Sequence, residues 1–73
     1  MKNEITTETR ARVSKLYALW LDQIGIRGGN PWGSSRYNKA DEKAENIENE
    51  MSMLIFGDTE HTATEAYEEK EAE

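Results

Sequence analysis

The sequence predicts an all-α fold: an antiparallel two-helix hairpin with a flexible acidic C-terminal tail, able to dimerise into a four-helix bundle. Three observations predict it. Two stretches repeat apolar residues every three or four positions, a glycine-rich segment separates them, and the final stretch is polar and acidic. The expected organisation is a hairpin over 1–57, with helices over about 6–24 and 35–56, and a largely disordered tail over 58–73.

The first helix is expected from Thr6 or Thr7, because Val13, Leu16, Tyr17, Trp20, Leu21 and Ile24 fall on one face while Ser14, Lys15, Ala18 and Asp22 lie opposite. Threonine hydroxyls can cap the first free amides, and Glu4 and Glu8 suit the positive end of the helix dipole. Gly25 is expected to stop the helix in the left-handed conformation, setting Ile26 against Leu21. The following run, Arg27-Gly28-Gly29-Asn30-Pro31-Trp32-Gly33-Ser34, holds three glycines and the only proline, so a turn or loop is expected there.

The second helix is expected after Ser34 or Ser35, either of which can cap it. From there Tyr37, Ala40, Ala44, Ile47, Met51 and Leu54 recur at spacings of 3, 4, 3, 4 and 3. Gly57 is expected to end it. Met53 to Phe56 would also suit a short strand, but four residues without a partner strand are marginal. The small alanines of this helix face the bulky Leu16 and Trp20 of the first, which favours close packing. Two helices alone leave each stripe partly uncovered, so a homodimer or a groove-binding role is expected, with Leu19, Met53 and Phe56 as candidate outer contacts. The tail has too little apolar surface to offset its ordering entropy, although Thr62 and Glu65 match a capping box that would start a short helix through Tyr67.

A 73-residue chain buries roughly 60% of the surface its unfolded form exposes, so the core is thin. There are no cysteines, and His61 is the only histidine, which excludes disulfides and a structural zinc site. The N-terminal residues lack the pattern of a signal peptide and no stretch is long enough to span a bilayer, so a cytoplasmic setting is expected.

Net charge is −6, unevenly divided: residues 1–43 carry eight Lys/Arg against five Asp/Glu, and residues 44–73 carry one against ten. Such asymmetry points to a charged partner or to an acidic end that keeps the chain soluble. The basic half, with Arg10, Arg12, Lys15, Arg27, Arg36, Lys39 and Lys43 near Tyr37 and Trp32, would suit phosphates, whereas the acidic residues would imitate them or occupy a basic groove.

Motifs for chemistry are weak. Gly28 and Gly33 have the glycine spacing of a phosphate-binding loop, but Ser34 stands where the phosphate-gripping lysine belongs and no strand precedes it. His61 reads as a solvated surface histidine without an orienting group or nucleophile. The glutamate pairs Glu45/Glu48 and Glu48/Glu50 flank an apolar seam without a histidine, so no metal, cofactor, small-molecule substrate or catalytic residue is expected. The expected contacts are Arg27, Asn30 and Trp32 in the loop and Glu45, Glu48 and Glu50 as an electrostatic surface. Trp32 would serve as an aromatic anchor unless it folds back over the open end of the core.

The run Gln23-Ile24-Gly25-Ile26-Arg27, at the expected end of the first helix, is similar to a run in a helical-hairpin family from the early accessory region of lambdoid phages. The resemblance covers five residues and the two-helix plan, and ends at Gly28-Gly29-Asn30-Pro31-Trp32. The acidic tail and small size resemble phage proteins that disable bacterial defences, including anti-CRISPR and anti-restriction proteins. Together these imply a non-enzymatic phage accessory or anti-defence protein that blocks a host protein by direct contact in the host cytoplasm. The alternatives are a nucleic-acid-binding accessory protein using the basic half and a structural homo-oligomer.

Overall fold

The computed structural model describes residues 5–71 as three helices, α1 (Thr7–Gly28), α2 (Ser35–Phe56) and α3 (Ala63–Glu71), with no strand among the described residues. Glu4, one of the expected dipole partners of α1, and the final two residues of the tail lie outside them.

Helix α1 begins where a threonine takes the extended conformation. Thr6 has φ −79° and ψ 165°, its hydroxyl accepts from the Thr9 N–H at 3.0 Å, and Glu8 sits in the first turn. The expected stop at Gly25 is not there: Gly25 stays helical and α1 runs one turn further, to Gly28. Glycine in a helix costs only about 1 kcal/mol relative to alanine. That turn brings Arg27 to the negative end of the dipole and within 2.6 Å of Asp41 on α2, which helps offset the cost. The cap residue Gly29 has φ −89°, so this end is not a left-handed stop, and its N–H donates to the carbonyls of Gly25 and Ile26. Leu21 and Ile26, expected to touch each other at the cap, are instead 49% and 42% exposed.

Helix α2 keeps its expected bounds. The Ser34 hydroxyl accepts from the Tyr37 N–H at 3.2 Å, and Gly57, at φ 79°, closes the helix by donating its N–H to the Met53 carbonyl at 3.0 Å. Met53 to Phe56 form its last turn, not a strand. Every residue of the expected heptad is at least half buried, but the deepest apolar positions are Ala40, Ala44, Met51 and Ile55. An α-helix drifts by about 20° per heptad, which carries Ile55 into the core ahead of Leu54.

The expected disordered tail is the largest departure among residues 58–71. The capping box forms in both directions, with the Thr62 N–H donating to Glu65 Oε1 at 2.8 Å and the Glu65 N–H donating to Thr62 Oγ1 at 3.1 Å. The helix it starts is held by packing as well as by propensity. Ala63 and Ala66 enter a core with Val13, Leu16, Met51 and Ile55, and the Tyr67 ring stacks on Tyr17 at 4.2 Å between centroids. Two alanines let α3 approach closely, so a short polar helix buries enough to stay folded.

Arg12, early in α1, bonds Glu50, late in α2, and Arg27, late in α1, bonds Asp41, early in α2. Helix α3 lies against both long helices at the end away from their connecting loop, where the Arg10 Nη1 donates to the Lys70 carbonyl at 2.9 Å. The apolar stripe that two helices leave open is therefore covered at that end by the chain itself.

Candidate interaction surface

The connection between α1 and α2 is a short tip tied by several hydrogen bonds. Asn30 Nδ2 donates to the Ile26 carbonyl at 2.7 Å, the Asn30 N–H donates to the Arg27 carbonyl, and Asn38 Nδ2 donates to the Gly33 carbonyl at 3.3 Å. Within it, the Ser34 N–H donates to the Pro31 carbonyl at 3.0 Å across Trp32 and Gly33. Gly33 has φ 81°, the left-handed value a type II turn requires at its third position. Trp32 occupies the outer corner of this turn and is 85% exposed, so it does not fold back over the core.

Of the six contact residues the sequence suggests, the structure brings the loop trio Arg27, Asn30 and Trp32 to one end of the hairpin. Arg27 and Asn30 are already engaged, Arg27 with Asp41 and Asn30 with the last turn of α1, so they support the tip and Trp32 projects from it. The three glutamates do not form one surface. Glu48 accepts the Ala63 N–H at 2.8 Å and so holds the first amide of α3, while Glu50 accepts from Arg12 at 2.7 Å on the other flank of α2. Glu45 is exposed beside Glu48 on the rim of a groove. Among the expected outer contacts, Phe56 is half buried. Leu19 is 45% and Met53 50% exposed.

His61 is not the solvated histidine the sequence suggests. Its ring stacks on Phe56 at 3.7 Å between centroids, and its Nδ1 lies 2.8 Å from Asp58 Oδ1. The same carboxylate oxygen accepts from the Ser52 hydroxyl and the Glu60 N–H, while Ser52 Oγ accepts from the His61 N–H. Serine, histidine and aspartate thus stand together, but wired differently from a nucleophilic triad. Ser52 is fully buried and donates to the aspartate, so its hydroxyl is not presented to a histidine base. The knot pins the α2–α3 connection. Its hydrogen bonds, first from the Glu60 N–H and then from His61, hold the Asp58 carboxyl below the ordinary carboxylate range. The sequence carried a signal for it, an aspartate directly after a C-cap glycine, where Asx turns form.

Nowhere among the described residues do three or more His, Asp or Glu side chains gather as metal ligands, and no described helix is long and apolar enough to cross a membrane. The five-residue run Gln23 to Arg27 lies in the last two turns of α1, one residue short of its end. No protein-family model matches the chain, and no curated protein or solved structure is similar to it.

Proposed function

We propose that the protein is a non-enzymatic binding module, an antiparallel hairpin braced by α3, whose loop end docks on another protein through Trp32. The observation that carries this reading is an 85% exposed tryptophan on a turn hydrogen-bonded from both sides. An indole can bury roughly 200 Å², worth on the order of 5 kcal/mol of transfer free energy, little of which the folded chain recovers at this position. Tryptophan is the residue most enriched at interface hot spots, and a turn already ordered spares a partner part of the entropic cost of docking. Blocking a host protein, as a phage accessory or anti-defence inhibitor would, is the form of contact that the resemblance of Gln23 to Arg27, together with the small size and acidic C-terminal stretch, suggests.

Affinity capture from a lysate of the source cell tests the reading. Wild-type protein is expected to retain a specific protein, and Trp32→Ala is expected to lose it with unchanged far-UV circular dichroism. Equal retention by Trp32→Ala removes the loop from the account, and retention of nucleic acid alone transfers the role to the basic half of the chain.

A further inference from the structure

Helix α3 occupies only part of the groove between α1 and α2. Its nine residues rise about 13 Å, whereas the 22 residues of each long helix rise about 33 Å. It extends from Ala63, tied to Glu48, to Lys70, tied to Arg10 at the far end. Toward the loop the same groove stays open as a cavity of about 430 Å³. Trp20, Ile24 and Ala44 supply its apolar lining, and Asp41, Glu45 and Glu48 stand along its α2 side at spacings of four and three. Its one cation, Arg27, is held by Asp41, which leaves the excess charge negative.

The seat has the geometry of a helix site, because its other half holds a helix. What α3 brings to that half is a stripe of small and aromatic residues, Ala63, Ala66 and Tyr67. An occupant of the open half needs a comparable apolar stripe against Trp20 and Ile24, and its flanks must answer carboxylates. An acidic or neutral helix would leave Glu45 facing like charge or nothing. We propose that the open half of the groove takes a cationic amphipathic helix of a partner protein, laid end to end with α3. This surface shares the Arg27–Asp41 pair with the base of the loop tip but does not include Trp32, so either contact can exist without the other.

The test uses the full chain carrying Trp32→Phe, which leaves Trp20 as the only indole. The probe is a 14-residue synthetic helix with a leucine and alanine stripe flanked by lysines, and the control is the same stripe flanked by glutamates. Saturable blue-shifted Trp20 emission is expected with the lysine peptide, at least tenfold tighter than with the glutamate peptide and weakening as salt rises. Glu45→Lys, at an exposed position, is expected to weaken it roughly fivefold with unchanged circular dichroism. Equal affinity for the two peptides, no Trp20 shift at millimolar peptide, or insensitivity to Glu45→Lys would overturn the proposal. So would concentration-dependent dimerisation lost in Glu45→Lys, since a second copy would then fill the groove. Because Trp32 is absent throughout, none of these outcomes depends on the loop reading, and failure of the Trp32 capture experiment leaves this one standing.

Discussion

Truncating Met51 to alanine should cost a large share of the stability, and the same change two residues away at Met53 should cost almost nothing. Met51 is fully buried among Val13, Leu16, Ile55 and the two alanines of α3, whereas Met53 is 50% exposed on the outer face of the same helix. A buried Met→Ala change removes transfer free energy and leaves a cavity, together about 2–5 kcal/mol. At roughly 0.05–0.15 kcal/mol per residue, a chain of 73 residues has a total stability of about 4–11 kcal/mol. Met51→Ala therefore removes around half of it, which in a domain this small lowers Tm by roughly 8–40 °C. Met53→Ala, touching little, should stay within about 0.5 kcal/mol. Thermal denaturation followed at 222 nm, with urea titrations for the free energies, measures both. Met51→Leu, which nearly conserves volume, should recover most of the loss. Equal effects of the two alanine variants would refute the packing register of α2 and, with it, the seat of α3.

Two further outcomes follow from the loop and from the α3 junction. Gly33→Ala meets no atom within 4 Å but must hold φ 81°, so it should destabilise by about 1–2 kcal/mol of backbone strain in chemical denaturation. Asp58, Glu65 and Glu71 all have carboxyls held below their ordinary values, first by the Glu60 N–H, the Thr62 N–H and the Lys70 ammonium respectively. A depressed folded-state value means stability present above the unfolded value and lost as pH falls through the folded one. The α3 region should therefore loosen selectively below about pH 4. Amide exchange across 58–71 should rise before that of α1 and α2, and uniform loss in all three helices would count against this assignment.

The two long helices were legible because their apolar spacing is long and their caps are local: Ser34 and Gly57 act as their residue types suggest. The end of α1 was not, because a glycine preference is a weak local bias and the Arg27–Asp41 pair, formed only when the helices meet, favours another turn. Helix α3 was visible only as its capping box. Its stability comes from Ala63, Ala66 and Tyr67 meeting residues some fifty positions earlier, such as Tyr17, which no window over an acidic segment reveals. The same limit hid the work of Glu48 and Glu50. Each reads as a surface charge, yet one holds the first amide of α3 and the other ties α2 to Arg12. The exposed corner at Trp32 was legible because the glycine after it supplies the left-handed position that a turn needs.

The claim that matters most for function is that the tip presents Trp32 on a preformed turn. Backbone ¹⁵N relaxation of the free protein tests it most directly. The amides of Trp32, Gly33 and Ser34 should give order parameters near the rigid-backbone value of about 0.85, matching those of the flanking helices. Values below about 0.6 at these three amides would mean that the turn forms only on contact, and would contradict the account of a surface built in advance.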